Sequence, residues 1–229
     1  MYALNYQKAQ SLKQASQALA ESPTSRVVSG GMTLIPALKH RLIQVDQLID
    51  INGIAGLKDI RVQGNHLWIG AGATHQQVAR DPQVRAFSPG LADLAALIGD
   101  PQVRARGTLG GSVANNDPAA CYPSAVLALG ATVHTNQRQI AADDFFQGLY
   151  TTALEAGELI TAIEFPLAQR AAYAKFKQPA SRFALVGVFV AQTAAGVRVA
   201  ITGAGNGVFR HAGLEAALTK SFTPEAVEH

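Results

Sequence analysis

Two double-glycine segments carry the residue types best suited to chemistry in this chain. Residues 29–33 read Ser-Gly-Gly-Met-Thr, and residues 108–112 read Thr-Leu-Gly-Gly-Ser. A Gly-Gly pair allows positive φ and lets a ligand approach the main chain, because no Cβ stands in the way. Consecutive backbone N–H groups in such a turn form a concave site for an anion. Each segment follows an extended apolar stretch, so the sequence predicts two loops that hold a diphosphate from two sides.

The two segments differ in how strongly they favour ligand binding. For the first, an ordinary strand-to-helix connection is an open alternative, because glycine is common in turns. The second is richer, since residues 107–118 contain three glycines, four small polar side chains and one carboxylate. These polar side chains either hydrogen-bond phosphate and ribose oxygens or stabilise the loop by local turns. They are Thr108, Ser112, Asn115 and Asn116. The density of glycines and polar side chains in residues 107–118 favours ligand binding.

Motifs of other active sites are missing from the sequence. The first segment has neither the Gly-x-Gly-x-x-Gly fingerprint nor a Walker loop, and residues 70–74 are predicted to form a tight turn between a strand and a helix. No Gly-x-Ser-x-Gly or His-Glu-x-x-His motif is present. Cys121 is the only cysteine, and the histidines lack metal-ligand spacing, so we expect no protein-bound metal. We also expect no catalytic residue, which would leave the chemistry to a bound cofactor.

The composition excludes several classes of protein. With 229 residues, 48% of them hydrophobic, the chain can bury the core of one or two domains. It has no apolar run of about 18 residues and no signal peptide, so we expect a soluble, cytoplasmic protein without a membrane span. The net charge of +3 is not gathered into a basic stripe, and nucleic acid is not an expected partner. A cationic rim around an anionic cofactor explains the basic residues at 39–41 and 104–106 equally well.

Hydrophobic periodicity predicts the elements that must position these segments. Helices are predicted over residues 12–19, 34–41, 75–80, 90–98, 123–129 and 213–218, with a helical turn at 143–146. Strands are predicted over residues 26–29, 47–51, 57–62, 66–71, 132–134, 159–165, 172–177, 184–192 and 197–202. The rhythm changes beyond Pro166, which predicts two domains, 1–166 and 167–229.

Three stretches of the chain carry motifs that point to one protein family. They are residues 29–36, residues 98–112, in which Asp-Pro-Gln-Val-Arg is followed by Thr-Leu-Gly-Gly, and residues 117–120. Together they resemble the FAD-binding medium subunit of molybdenum hydroxylases, the group of carbon monoxide dehydrogenase, xanthine dehydrogenase and aldehyde oxidoreductase. The resemblance runs from residue 1 to residue 229. It implies an α+β or α/β fold of the vanillyl-alcohol-oxidase (PCMH) type. An FAD-binding domain of two α/β subdomains would precede a smaller C-terminal α/β domain.

The resemblance also implies the cofactor contacts, position by position. The segment from Val27 to Leu34 would wrap the FAD diphosphate, and the segment from Thr108 to Ser112 would hold it from the other side. Apolar contacts to the flavin or adenine would come from Ile98, Leu154 and Ile160, and Lys177 would lie near the isoalloxazine. The expected contacts are Val27, Val28, Ser29, Gly30, Gly31, Met32, Thr33, Leu34, Ile98, Thr108, Leu109, Gly110, Gly111, Ser112, Asn115, Cys121, Leu154, Ile160 and Lys177.

The chain departs from the family pattern in two places. Many relatives have a cofactor-binding aspartate where this chain has Cys121, and a thiol is a weak hydrogen-bond acceptor. Cys121 stays among the predicted contacts, with Asn115, Asn116 or Asp117 as candidates to replace the carboxylate. Relatives also continue for several tens of residues beyond Glu228. A truncated, a partly ordered and a naturally short C-terminal domain are the alternatives that stay open.

The function implied by the resemblance is electron transfer. A large subunit containing molybdenum and molybdopterin would oxidise the substrate, and a small subunit with two-iron two-sulfur clusters would relay the electrons. This chain, with non-covalently bound FAD, would pass them to NAD, a quinone or another acceptor. We expect a heterotrimer or its dimer. A stand-alone FAD-dependent oxidoreductase on the same fold and a flavin-free structural subunit are the alternatives.

Overall fold

A three-stranded parallel sheet opens the fold and ends at the first glycine segment. In the computed structural model, which describes residues 1–228, its strands are β1 (Asn5–Lys8), β2 (Arg26–Val28) and β3 (Gln47–Asp50), in the order β1-β3-β2. Two helices connect them, α1 (Leu12–Ala20) and α2 (Leu34–Lys39). The predicted order of strand, glycine segment and helix over residues 26–39 is therefore confirmed. Strand β1 is missing from the sequence prediction.

The main sheet is antiparallel and has five strands. They are β4 (Ile60–Gln63), β5 (His66–Gly70), β6 (Thr132–Thr135), β7 (Gln139–Ala141) and β10 (Ile160–Pro166), in the order β4-β5-β10-β6-β7. A separate short pair, β8 (Phe146–Gly148) and β9 (Thr151–Thr152), lies between β7 and β10 in the chain. Alternate side chains on one face enter the core, among them Leu67, Ile69, Val133, Ile163 and Phe165. The strands 66–71, 132–134 and 159–165 were predicted from this alternation of apolar and other residues.

Seven short helices lie around the main sheet, and six of them bury side chains in its core, whereas the helix over residues 101–106 buries none. They are α3 (His75–Arg80), α4 (Pro82–Phe87), α5 (Pro89–Ala96), α6 (Pro101–Arg106), α7 (Leu109–Asn115), α8 (Tyr122–Ala128) and α9 (Ala142–Phe145). Polar side chains cap four of their N-termini and satisfy N–H groups that have no partner within the helix: Thr74, Asp81, Asp100 and Thr108. Helices α4, α6 and α7 are missing from the sequence prediction. No helix within residues 1–228 is long and apolar enough to cross a membrane.

The second glycine segment is not a loop after an extended stretch, and this corrects the sequence prediction. Helix α6 ends at Arg106, and α7 begins at Leu109, so Gly110 and Gly111 lie in its first turn. The hydroxyl of Thr108 accepts the Gly111 N–H at 3.2 Å and caps the helix. Such a cap offsets part of the low helix propensity of a glycine pair.

A four-stranded antiparallel sheet follows Pro166. Its strands are β11 (Arg170–Lys177), β12 (Ala184–Thr193), β13 (Gly196–Thr202) and β14 (Phe209–Arg210), in chain order. Helix α10 (Ala212–Lys220) and a 3₁₀ turn (Pro224–Val227) complete the described chain. The predicted strands 172–177, 184–192 and 197–202 and the predicted helix 213–218 are confirmed to within about two residues at each end.

The two large sheets share one hydrophobic core. Phe189 and Ala191 of β12 and Ala200 of β13 are fully buried in the same cluster as Phe165 of β10. Close packing also brings Gly90 of α5 against β11, where a Cβ at residue 90 would lie 2.7 Å from the Ala171 carbonyl oxygen. The segments before and after Pro166 therefore pack into one core. The predicted division into domains at this residue stays a prediction.

Because the core is shared, we expect Phe189→Ala to destabilise the whole chain. Loss of a fully buried phenylalanine ring lowers the free energy of unfolding by about 3–5 kcal/mol. Urea unfolding followed by the fluorescence of Trp68, the only tryptophan, measures this from the other sheet. The matched control is Phe176→Ala, at a ring that is 72% exposed, with an expected change below about 0.5 kcal/mol. An unchanged Trp68 transition in Phe189→Ala would show that the two sheets unfold independently.

Candidate functional site

The two glycine segments lie against each other in the fold. A Cβ at Gly30 would overlap with the Arg106 carbonyl oxygen and would lie 2.7 Å from the Gly107 Cα. Since this space is filled by backbone, no other residue fits at position 30 without displacing the turn between α6 and α7. The structure thus brings the predicted halves of the site together through a backbone-to-backbone contact.

The first segment offers backbone donors that have no partner. Within residues 1–228, the N–H groups of residues 30–33 make no hydrogen bond. Gly31 adopts a φ of +72°, a conformation that favours glycine. The hydroxyl of Ser29 is buried and also has no hydrogen-bond partner. Consecutive unpartnered N–H groups beside a hydroxyl fit a phosphate or another oxyanion.

A side-chain network fixes the orientation of the first segment. The amide nitrogen of Asn52 donates to the Ser29 carbonyl oxygen at 2.8 Å and to the Asp50 carboxylate at 2.7 Å. Tyr6 donates to the other carboxylate oxygen of Asp50 at 2.6 Å, and these hydrogen bonds contribute to a pKa for Asp50 that lies below its ordinary value despite partial burial. Because the Ser29 carbonyl is held in this way, the N–H groups that follow it are set before any ligand binds. The sequence analysis missed Asn52.

The backbone of the second segment is already used within the protein. Leu109 and Gly110 donate to the carbonyl oxygens of Ala73 and Ala71 at 2.9 and 2.8 Å, and the Ser112 N–H donates to the Thr108 carbonyl at 3.0 Å. The expectation that both segments present free N–H groups is therefore wrong for residues 109–112. This part of the chain still offers the hydroxyl of Ser112, the side chain of Asn115 just beyond the segment, and the surface at Gly111, which is exposed.

Residues 70–75 form the support beneath the second segment. A Cβ at Gly70 would overlap with the Leu57 carbonyl oxygen, and one at Gly110 would lie 2.5 Å from the Ala71 Cβ. Thr74 pairs with Thr108 in an isolated β-bridge. The prediction of a tight turn after β5 is confirmed, but the turn also anchors α7. The Gly-x-Gly pattern at residues 70–72 was the only sign of this role in the sequence.

His75 lies directly under the turn that joins α6 and α7. Its backbone N–H donates to the Gly107 carbonyl at 2.9 Å, and its ring lies 5.3 Å from the ring of Tyr122. Its Nδ1 is buried without a hydrogen-bond partner. Burial, assisted by the positive charge of Arg104, lowers the pKa of His75 to about 4. The imidazole is therefore neutral at pH 7.

The predicted apolar contacts border the main core. Ile160 of β10 is buried in it, and Ile98 and Leu154 are partly buried against it. All three are apolar, and each belongs to this cluster or packs against it. Their predicted contact with a cofactor stays a prediction.

Two of the three residues considered as replacements for a carboxylate at Cys121 have local structural roles. The Asn116 side chain is fully buried and donates to the carbonyl oxygens of Gly148 and Thr151 at 2.8 and 2.7 Å. One carboxylate oxygen of Asp117 accepts the Ala119 N–H at 2.9 Å. Asn115, half-buried at the end of α7, makes no such contact among the described residues.

Cys121 itself contacts a lysine that the sequence analysis did not single out. The Lys175 Nζ lies 3.3 Å from the Cys121 Sγ and donates to the Leu97 carbonyl oxygen at 3.1 Å. Lys177, the predicted contact, is the last residue of β11 and is exposed. Both lysines lie on β11, where Lys175 contacts Cys121, and the cofactor contact of Lys177 stays a prediction.

Comparisons with known proteins show similar sequences over most of this chain. Residues 2–168 match the family model described as the FAD binding domain in molybdopterin dehydrogenase. The chain is 36% identical over 217 residues to the carbon monoxide dehydrogenase medium chain of Hydrogenophaga pseudoflava, which covers 89% of this chain and 76% of that protein. It is 32% identical over 237 residues to the nicotine 6-hydroxylase medium subunit of Paenarthrobacter nicotinovorans, covering 99% and 84%.

Solved structures extend this similarity to the fold. A chain of the carbon monoxide dehydrogenase from Hydrogenophaga pseudoflava that lacks the Mo-pyranopterin moiety of the molybdenum cofactor superposes with a TM-score of 0.92 at 35% identity, covering 99% of this chain and 84% of that chain. A chain of quinoline 2-oxidoreductase from Pseudomonas putida 86 superposes with a TM-score of 0.88 at 30% identity, covering 95% and 80%. The mixed α/β fold described above is thus the fold of these chains.

The low pKa of His75 predicts a pH dependence of stability. In the unfolded chain the imidazole regains its ordinary pKa of 6.5 and binds a proton that the folded state binds only near pH 4. Stability from this group is therefore present above pH 6.5 and is lost as the pH falls towards 4, by at most about 3 kcal/mol. We expect His75→Gln to flatten this part of the pH profile in urea unfolding, whereas His40→Gln, at an exposed histidine, keeps the wild-type profile. Equal pH profiles for His75→Gln and wild type would contradict the assignment.

Proposed function

This chain belongs to the family of FAD-binding domains in molybdopterin dehydrogenases, and we propose that it is the electron-transfer subunit of a molybdenum hydroxylase. Two kinds of similarity support this. The family model covers residues 2–168, and the relatives described above are medium chains or subunits of dehydrogenases and hydroxylases. The resemblance of the sequence motifs to this family is thereby confirmed.

The observation that carries the proposal is the set of unpartnered N–H groups at residues 30–33. A flavin dinucleotide has a diphosphate, and four backbone donors next to the buried Ser29 hydroxyl suit its oxygens. In our proposal the stretch from Val27 to Leu34 wraps the diphosphate. Residues 108–112 approach from the other side through the exposed surface of Gly111 and the hydroxyl of Ser112.

The chain would bind and orient the cofactor without taking part in bond making. When bound, FAD supplies the capacity to accept and release electrons, which no amino-acid side chain in this site provides. The protein's own contribution is a preset phosphate-binding segment, an apolar border at Ile98, Leu154 and Ile160, and lysines on β11. Positive charge near the ring and hydrogen bonds to it would tune its potential. No nucleophile or general base is required.

The proposal extends to the partners and the location of the protein. We propose that the chain assembles with a molybdenum-containing large subunit and a small subunit with two-iron two-sulfur clusters, as a heterotrimer or its dimer, in the cytoplasm. It would receive electrons from the small subunit and pass them to NAD, a quinone or another acceptor. We also propose a PCMH-type FAD domain of two subdomains over residues 1–166 and a smaller domain over 167–229.

Co-expression with the two partner subunits tests this assignment. We expect the three chains to co-purify as a yellow complex, whose flavin is released completely by denaturation because the attachment is non-covalent. Flavin absorption should bleach when the molybdenum subunit's substrate is added without an acceptor. A yellow protein that purifies alone and oxidises a substrate by itself would instead indicate a stand-alone oxidoreductase, and a colourless one a flavin-free structural subunit.

We expect Asn52→Ala to weaken FAD binding while the fold is kept. The change removes the hydrogen bond to the Ser29 carbonyl, so the N–H groups of residues 30–33 lose their fixed orientation. A hydrogen bond of this kind is worth about 1.4 kcal/mol, which corresponds to a roughly tenfold rise in Kd. Flavin titration of the apoprotein measures this, with the exposed Asn65→Ala as the matched control. An unchanged Kd for Asn52→Ala would remove Asn52 from the site.

A further inference from the structure

A set of side-chain hydrogen bonds, the Ser16 bridge, joins helix α1 to the main sheet. The Ser16 hydroxyl donates to the Gly157 carbonyl oxygen at 2.7 Å and accepts a hydrogen bond from the Asn136 side-chain amide at 3.0 Å. The same amide also donates to the Gly157 carbonyl at 3.3 Å. Ser16 therefore links α1 to residues that lie 120 and 141 positions away in the chain.

The turn that receives the Ser16 bridge is held in place from the side of the main sheet. Asn136, directly after β6, exchanges two hydrogen bonds with Leu159: its side-chain oxygen accepts the Leu159 N–H at 2.7 Å, and its own N–H donates to the Leu159 carbonyl at 3.0 Å. The Glu158 carboxylate is fully buried and pairs with Arg138 at 3.0 Å. The turn before β10 is therefore oriented independently of α1.

Close packing accompanies the Ser16 bridge. Gly157 adopts a φ of +74°, and a Cβ at this position would lie 3.1 Å from the Ser16 carbonyl oxygen and 3.2 Å from the Ala20 Cβ. Leu159, which directly precedes β10, is buried in the same cluster as Ala15 of α1. Helix α1 is thus attached to this turn by hydrogen bonds and by apolar contact.

The Ser16 bridge connects the supports of the two glycine segments. On one side, α1 shares its buried cluster with Ile49 of β3, and Val27 of β2 packs against that cluster. On the other side, β10 pairs with β5, and the turn after β5 holds the second segment through the Ala71 and Ala73 carbonyl oxygens. The bridge is therefore a second connection between the parts of the chain that also meet at Gly30.

We propose that Ser16 is a positioning residue of the candidate site, which holds α1, and with it β2 and the first glycine segment, in a fixed place relative to the second segment. This inference rests on the proposed function. Helix α1, which precedes β2, is attached at Gly157, and Gly30, which follows β2, contacts the turn before α7. Because β2 is fixed on both sides, the N–H groups of residues 30–33 keep their place, and the protein loses less conformational entropy when it binds FAD.

Ser16→Ala separates this role from a role within α1. The variant removes both hydrogen bonds of α1 and leaves those of Asn136 to Gly157 and Leu159. Because alanine has a higher helix propensity than serine, a role confined to α1 predicts unchanged or slower amide exchange in this helix. Our proposal predicts faster exchange of α1 in the apoprotein, and a Kd for FAD that rises about fivefold to tenfold. Hydrogen exchange read by mass spectrometry and flavin titration measure these two quantities.

Gly157→Ala tests the same connection by displacing the helix. The added Cβ would press against the Ser16 carbonyl oxygen, so α1 would have to move. The matched control is Gly64→Ala, at a glycine with a φ of +58° where an added Cβ would meet no atom of the described chain within 4 Å. Both variants carry the strain of a positive φ, and only the first adds the contact with α1. We expect Gly157→Ala to have a Kd for FAD about fivefold above that of Gly64→Ala.

The outcomes distinguish this inference from the function on which it rests. A wild-type chain that binds no FAD overturns the proposed function and this inference with it. A wild type that binds FAD, with Ser16→Ala at the same Kd, overturns the inference alone, even if α1 exchanges faster, because the bridge then stabilises the fold without positioning the site. Equal Kd values for Gly157→Ala and Gly64→Ala would also overturn it. Urea unfolding of the apoprotein variants checks that each is folded.

Discussion

The candidate site depends on the contact between the backbone at Gly30 and the backbone at Arg106 and Gly107. Because a Cβ at position 30 would overlap with the Arg106 carbonyl oxygen, only glycine allows β2 and the turn before α7 to meet. The unpartnered N–H groups of residues 30–33 begin at Gly30 itself, and α7 begins two residues after Gly107. A shift of either segment would open the site.

The two segments have different tasks, although their sequences look alike. The first is an open turn whose donors are free and whose carbonyl at Ser29 is fixed by Asn52. The second is the start of a helix, anchored to the turn after β5 by hydrogen bonds to Ala71 and Ala73. Because the second segment is anchored and the donors of the first are already oriented, the protein loses less conformational entropy when a ligand binds. The buried, neutral His75 belongs to the support.

The strand β11 connects this site to the second sheet. Its outer end carries Lys177, whereas Lys175 reaches across to Cys121 and Leu97. The sheet that contains β11 packs through Phe189 into the same core as β10, so the position of these lysines depends on packing far from the site.

The sequence by itself determined the strongly periodic elements, such as β5, β10, β12 and α5, and it determined the family through the motifs of residues 29–36, 98–112 and 117–120. Elements with a weak pattern, such as β1 and α6, emerged only in the structure, because caps and packing partners define them more than propensity does. The sequence also could not decide which glycine amides are free. That depends on whether the Ala71 and Ala73 carbonyl oxygens and the Thr108 hydroxyl reach them, and Ala71 and Ala73 meet the second segment only after folding. For the same reason the contact of Lys175 with Cys121 was missed, whereas the cofactor contact of Lys177 stays a prediction. Local sequence encodes conformational preference, whereas hydrogen-bond partners and charge neighbours are set by residues that the tertiary fold brings together.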